Sequence, residues 1–128
     1  MTDAPAKILI IDDASLVRLY YRNAFEAAGF AVAEALNGIE AMELLLTDGA
    51  DLMVVDINMP QMDGITFLHR LRAQQAKLAS IPAIVISTES GASDREAARQ
   101  AGANFYIAKP ATPNLLVETA RLLCGRPT

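Results

Sequence analysis

Four chemically loaded residue groups each close a short apolar run. Asp12-Asp13 follows Ile8-Leu9-Ile10-Ile11, and Asp56 follows Leu52-Met53-Val54-Val55. Ser87-Thr88 follows Ala83-Ile84-Val85-Ile86, and Lys109-Pro110 follows Phe105-Tyr106-Ile107-Ala108. Three carboxylates beside one ammonium can hold a divalent cation and a phosphoryl group. Carboxylates within several ångströms of one another repel, and one pKa rises unless a cation joins them. A carboxylate closing a buried apolar strand, as Asp56 would, needs a partner. Hard oxygen ligands with room for water suit Mg²⁺, which keeps part of its hydration shell and bridges to phosphate. Mn²⁺ accepts the same oxygen set. Lys109 is the natural counter-ion. The residue before a proline is held extended, which keeps Lys109 on its strand trajectory, and the Lys109–Pro110 bond can be cis at modest cost. Ser87 offers one hydroxyl to a phosphoryl oxygen. The chemistry these groups fit is phosphoryl transfer to a carboxylate. Asp56 is the nucleophile, a cation bridges its carboxylate and the incoming phosphoryl oxygens, and Lys109 and Ser87 take up charge on the others. Positioning and charge neutralisation supply most of the catalysis in such transfers.

Each group also has an ordinary structural reading. Asp12-Asp13 taken alone fits a helix N-cap and a solvated neighbour. A serine ending a strand usually bonds nearby backbone or water, and a lysine usually keeps its head in water. The elements that carry the groups decide between the readings.

Lys7–Ile11 reads as a buried strand. The spacing predicts a helix over Ser15–Ala28 with Val17, Tyr20, Ala24 and Ala28 on one face, stopped by a left-handed Gly29. Ala31–Ala35 reads as a weaker strand at a sheet edge. Gly38–Thr47 reads as a helix carrying Met42, Leu45 and Leu46, and Leu52–Asp56 as a strongly apolar strand. The turn-rich stretch from Asn58 to Gly64, which includes Met59 and Met62 as loop-packing side chains, leads into a helix over Ile65–Gln74. Pro82 opens the strand Ala83–Ser87. Ser93 followed by Glu96 spells a capping box for a helix to about Ala101, closed by Gly102. Phe105–Ala108 is the last strand, and Thr112 with Pro113 starts a last helix that ends near Leu123. Alternating helices and wholly apolar strands mean a parallel sheet covered on both faces. Right-handed crossovers make it an open doubly wound three-layer sandwich, an α/β fold with five strands and five helices. Ligands in such folds sit beyond the carboxyl ends of the strands, where the winding reverses, which is where the four groups fall.

With 128 residues the chain fits one domain, its core spanning about residues 7–123. A hydrophobic content of 52% fills such a core and argues against disorder. The net charge of -4 leaves no basic surplus to displace counterions from phosphates, so no nucleic-acid partner is expected. No apolar run approaches the roughly 20 residues that cross a bilayer, and the polar stretch Met1 to Lys7 lacks a signal-peptide core, so no membrane partner is expected. Cys124 is the single cysteine, which excludes an internal disulfide and fits a reducing compartment. A cytoplasmic protein is the expectation.

The stretch Asp56-Ile57-Asn58-Met59-Pro60-Gln61-Met62-Asp63-Gly64 and the stretch Ala101-Gly102-Ala103-Asn104-Phe105-Tyr106-Ile107-Ala108-Lys109-Pro110, with Asp12-Asp13 and Ser87, are specific. From Lys7 to Leu123 the chain resembles the receiver domain of two-component response regulators, of the stand-alone CheY-like chemotaxis type. The resemblance implies a flavodoxin-like sheet of order 2-1-3-4-5 in a single receiver domain. It implies Asp56 as phosphoacceptor and Asp12 and Asp13 as the acidic pair for Mg²⁺, with the backbone carbonyl of Asn58 as a further ligand. Ser87 matches the switch hydroxyl, Tyr106 the switch aromatic, and Lys109 the lysine that contacts the phosphoryl group. Asn58 and Glu89 match positions that tune turnover and imply a short-lived phosphoryl state. Ser87 stands where threonine is commoner, and Thr88 where small residues are frequent. The implied donor is a histidine kinase or a histidine phosphotransfer protein, and the implied output is a separate protein. The chain is expected as a monomer or weak dimer that is no enzyme beyond its own phosphorylation and dephosphorylation.

The helix from about Asp94 to Ala101 is expected to bury Ala97, Ala98 and Ala101. Alanine buries little area, so this helix is weakly anchored and suits an element that shifts between two states. With the last strand and the last helix it forms the expected output surface, and Tyr106 turns inward beneath it. His69 reads as solvent-facing. Arg18 and Arg22 read as a solvated helix face, with Arg22 and Glu26 as an i,i+4 pair. A receiver cut from a larger regulator is the alternative within the family. A haloacid-dehalogenase-type phosphohydrolase would carry an Asp-x-Asp motif after its first strand, where this chain has Asp12-Asp13, and usually a cap domain. A flavodoxin-type electron carrier would need a Ser/Thr/Gly-rich loop at the same place.

Overall fold

A computed structural model describes residues 5–57, 63–88 and 91–124. Strands and helices alternate as β1 (Lys7–Ile11), α1 (Ser15–Ala27), β2 (Ala31–Ala35), α2 (Gly38–Thr47), β3 (Leu52–Asp56), α3 (Gly64–Arg72), α4 (Ala76–Ala79), β4 (Ala83–Ser87), α5 (Ala92–Ala101), β5 (Phe105–Ala108) and α6 (Pro113–Leu123). The five strands are parallel, in the order β2-β1-β3-β4-β5. The expected edge strand, β2, is at an edge. The expectation of five helices is corrected to six among the described residues. The extra one, α4, is a single turn without a side-chain cap, too short to show a helical period.

The strands are apolar on both faces because both faces are covered. Leu9, Ile11, Met53, Val55 and Val85 point to one side, where Phe67, Leu68 and Leu71 of α3, Leu45 of α2 and Ala98 of α5 pack. Ile8, Ile10, Leu52, Val54, Ile84 and Ile86 point to the other, against Tyr21 and Phe25 of α1 and Leu116 and Ala120 of α6. No helix among the described residues is long and apolar enough to cross a membrane.

Three local expectations are corrected. The packed face of α1 is corrected in its middle: Val17 and Ala28 pack as expected, but Tyr21 and Phe25 are buried, while Tyr20 is 47% exposed. Phe25 meets Phe30 edge to face at 5.9 Å, and burying an i,i+4 aromatic pair removes more apolar area than Tyr20 and Ala24 could. The Ser93–Glu96 capping box does not form. Helix α5 starts earlier, with Gly91 as its N-cap and no side-chain cap bond, and Glu96 accepts hydrogen bonds from Arg99 and Gln100 instead. Helix α5 buries Ala98 and Ala101, but Ala97 faces out. The weak anchoring expected of this helix therefore rests on two alanines. Thr112 caps α6 as expected, accepting from the Leu115 N–H at 3.2 Å with Pro113 in the first turn. Gly29 and Gly102 both take positive φ after their helices.

Candidate phosphoryl and cation site

The sheet register brings the acids level. Ile11 pairs with Val55, so Asp12 and Asp56 each stand one residue beyond the same rung. Ser87 pairs with Ala108, so Lys109 stands one residue beyond that rung, and its N–H donates to the Ser87 carbonyl at 2.8 Å. The winding reverses between β1 and β3, because β2 lies on one side of β1 and all later strands on the other. The site therefore occupies the switch point of the sheet.

Carboxylate oxygens of Asp12, Asp13 and Asp56 all lie within 4.8 Å of one another. Asp12 and Asp56 are buried, and Asp13 is exposed. Lys109 Nζ is 3.4 Å from Asp56 Oδ1, so the lysine found from its strand-end position is the counter-ion of the buried acid. The Lys109–Pro110 peptide is cis. Asp12 is held by three bonds. Its N–H donates to the Ala35 carbonyl at 3.1 Å, its Oδ1 accepts from the Ala14 N–H at 2.9 Å, and its carbonyl accepts from Arg18 Nη1 at 2.6 Å. Its Oδ2 is buried without a hydrogen-bond partner among the described residues.

Burial lifts the Asp12 carboxyl above its ordinary pKa. The Ala14 N–H opposes that rise, the Asp56 charge adds to it, Lys109 opposes it and Asp13 adds to it. Tyr21 is pushed up to about 12 by burial and by the negative charges of Asp12 and Asp56. A buried carboxylate oxygen left without a donor, among three converging acids, is the environment a divalent cation satisfies. Asp12, Asp13 and Asp56 fit such an ion.

Ser87 is fully buried at the end of β4, and Thr88 after it is exposed. Tyr106 is half-buried on β5 with the Arg95 guanidinium of α5 over its ring, 4.8 Å from the centroid. Asn58 and Glu89, like the loop methionines Met59 and Met62, lie outside the described residues. His69 is exposed, as read from the sequence. Arg18 and Arg22 do not form the solvated face expected of them. Both donate to the Glu34 carboxylate, and Arg22 also donates to Glu26 and to the Val32 carbonyl. A one-helix reading could not see the strand residue opposite.

Gly64 is a site residue whose reason sequence reasoning missed. A Cβ there would lie 2.6 Å from the Asp56 carbonyl oxygen and 2.9 Å from Ile57 Cα. Only glycine lets the first turn of α3 sit this close to the end of β3, and Asp63 caps that turn by accepting from the Thr66 N–H. The Asp-Gly pair before an apolar period was its visible signal. An apolar cleft of about 550 Å³, lined by Leu16, Val17, Tyr20, Thr88 and Pro110 among others, reaches the site at Lys109.

Residues 8–121 match the family model described as the response regulator receiver domain. The chain is similar to chemotaxis protein CheY1 of Helicobacter pylori, with 36% identity over 121 residues, covering 93% of this chain and 97% of that one. It is 37% identical to a chemotaxis protein CheY homolog of Campylobacter jejuni, over 93% of this chain and 92% of that one. Its fold superposes on the chemotaxis protein CheY4 of Vibrio cholerae with a TM-score of 0.88 at 28% identity, covering 94% of this chain and 99% of that one.

Proposed function

This chain belongs to the response regulator receiver family, and from that premise we propose that it is a phosphorylation-dependent signalling switch of the chemotaxis type. Asp56 accepts a phosphoryl group from the phosphohistidine of a histidine kinase or histidine phosphotransfer protein. The observation that carries the reading is the convergence of three carboxylates within 4.8 Å, one of them 3.4 Å from the Lys109 ammonium.

In the transfer, an Asp56 carboxylate oxygen forms the new P–O bond. The P–N bond breaks, and the imidazole leaves with the electron pair and takes up a proton. A bound Mg²⁺ or Mn²⁺ would supply positive charge to the phosphoryl oxygens. Asp12 and Asp13 would hold the ion beside Asp56, and the family resemblance implies the Asn58 carbonyl as a further ligand. Lys109 Nζ moves from the free carboxylate to a phosphoryl oxygen, and the Ser87 hydroxyl serves another. The apolar cleft along Leu16 and Tyr20 leaves room for the donor surface. The acyl phosphate is later hydrolysed by water, and Asn58 and Glu89 set its lifetime.

Phosphorylation draws Ser87 and Tyr106 toward the site and reshapes the surface of α5, β5 and α6. A separate output protein that prefers one shape reads the change by population shift. On this reading the chain works in the cytoplasm, and the one phosphoryl compound it turns over is its own acyl phosphate.

The test is incubation with acetyl phosphate and Mg²⁺, followed by intact-mass measurement of the chain and of Asp56→Asn. One phosphoryl group per wild-type chain and none on the variant is expected. Equal labelling of both, or labelling of neither by acetyl phosphate or a phosphohistidine donor, overturns the reading.

A further inference from the structure

Asp12 is fixed from three directions by groups that are not metal ligands, and one of them is a side chain. Arg18, one turn into α1, is only 16% exposed. Its Nη1 donates to the Asp12 carbonyl at 2.6 Å and its Nε donates to Glu34 Oε1 at 2.8 Å. The second Glu34 oxygen accepts from Arg22, whose Nη2 donates to the Val32 carbonyl at 3.0 Å. A relay of two guanidiniums and one carboxylate thus ties α1 and edge strand β2 to the residue that begins the acid loop. Burial acts to raise the Glu34 carboxyl, but the bonds and charges of Arg18 and Arg22 outweigh it and hold it below its ordinary value, so the relay stays ionised at neutral pH.

The geometry has a specific consequence. The Asp12 N–H is used by Ala35, its carbonyl by Arg18 and its Oδ1 by Ala14, which leaves Oδ2 as the oxygen without a donor. With both backbone groups and one carboxylate oxygen committed, Oδ2 has one direction left. A guanidinium is suited to this task because its rigid fork serves the carbonyl and the carboxylate at once. A lysine has one nitrogen and can serve either, not both in the same geometry.

We infer that Arg18 is a positioning residue of the cation site: braced by Glu34, it clamps the Asp12 carbonyl so that Asp12 Oδ2 is presented to the ion. The inference rests on the function proposed above. Groups that orient metal ligands without touching the metal matter to affinity by about 10- to 100-fold, and this sets the size of the expected effect.

The test measures Mg²⁺ and Mn²⁺ binding alone, without phosphodonor, by calorimetric titration of the full chain, beside the thermal midpoint of the metal-free protein. Arg18→Ala is expected to weaken both ions by about 10-fold or more. Arg18→Lys keeps the charge against Glu34 and recovers most of the midpoint, but not the affinity. Arg22→Ala removes the outer half of the relay without touching Asp12; it lowers the midpoint while leaving affinity within about 2-fold, well below the expected loss for a ligand-orienting group. Arg18→Ala or Arg18→Lys binding as tightly as wild type overturns the inference, as does an Arg22→Ala loss equal to that of Arg18→Ala. If Arg18→Ala does not fold, the Arg18→Lys and Arg22→Ala comparison decides. Wild-type protein that binds neither ion overturns the proposed function itself, a different outcome from tight binding by every variant.

Discussion

Tyr21 shows how the acid cluster reaches a side chain outside it. The residue is 4% exposed on α1 and is pushed up to about 12 by burial and by the charges of Asp12 and Asp56. An unfolded tyrosine titrates near about 10. Between those values the unfolded chain releases the phenolic proton while the folded chain keeps it, so unfolding gains and stability falls as pH rises. The loss is absent below about pH 10 and reaches on the order of 3 kcal/mol by about pH 12. Tyr21→Phe removes the titrating group and keeps the ring in the core. In urea unfolding series from neutral to alkaline pH, the wild-type curve is expected to fall more steeply than that of Tyr21→Phe above about pH 10. Parallel curves would mean that the tyrosine is not held neutral.

At the scale of elements, Arg72 connects pieces that no sequence period relates. Its Nη1 donates to the carbonyls of Ala79 and Ile81 at 2.9 and 2.6 Å, and its Nη2 donates to the Gly102 carbonyl at 2.6 Å. The end of α3 thereby pins α4, the entry to β4 and the turn that closes α5. Burial holds the guanidinium below its ordinary pKa, and no carboxylate pairs with it among the described residues to offset the fall. Its charge is spread over carbonyl dipoles. Gly102 completes the clamp. It sits at φ +106°, and a Cβ there would lie 2.6 Å from Arg72 Nε and 2.7 Å from its Cγ. Arg72→Met keeps the length but strands the carbonyls, and is expected to cost about 2–4 kcal/mol, the scale of losing charge-assisted bonds in a part-buried place. Gly102→Ala adds left-handed strain to a clash and is expected to cost about 1–3 kcal/mol. The double variant should lose less than the sum, because Gly102→Ala already displaces the guanidinium. Additive losses in equilibrium denaturation would separate the two residues. Because α5 buries only Ala98 and Ala101, this clamp is a main hold on its C-terminal end.

For the molecule as a whole, the acid cluster sets stability against cation binding. Burial lifts the Asp12 carboxyl above its ordinary value, with Asp56 and Asp13 adding to the rise. A folded pKa above the unfolded one means that stability is fully present below the unfolded value, about 3.9, and is lost as pH rises through the folded value. At neutral pH the metal-free fold therefore carries a cost, first from burying Asp12 and then from the neighbouring acids. Asp12→Asn should raise the thermal midpoint of the metal-free protein. On the proposed function Mg²⁺ should raise the wild-type midpoint, since an ion that binds only the folded state stabilises it by mass action, and the same substitution should abolish that shift. A lower metal-free midpoint for Asp12→Asn, or an undiminished Mg²⁺ shift, would contradict this account. Cost in the empty site and gain in the filled one together make the fold responsive to its ligand.

From the sequence alone, the positions of Asp12, Asp13, Asp56, Ser87 and Lys109 at one sheet edge followed, because wholly apolar runs between helical periods permit little besides parallel strands, and parallel strands share an end. Strand bounds, the caps at Thr112 and Gly102 and the edge placement of β2 followed from the same local rules. Other features had no local signature. Tyr21 and Phe25 replaced Tyr20 and Ala24 on the packed face of α1, in one cluster with Ile8 and Ile10 of β1 and Leu116 and Ala120 of α6. Glu34 took Arg18 and Arg22 out of solvent from a neighbouring strand, and Arg72 found its carbonyls up to 30 residues away. Gly64 proved necessary only once Asp56 and Ile57 lay against it. Chain-local patterning determined which groups arrive at the site. Contacts between elements distant in sequence, where a guanidinium or a missing Cβ meets backbone, decided how each group is held there.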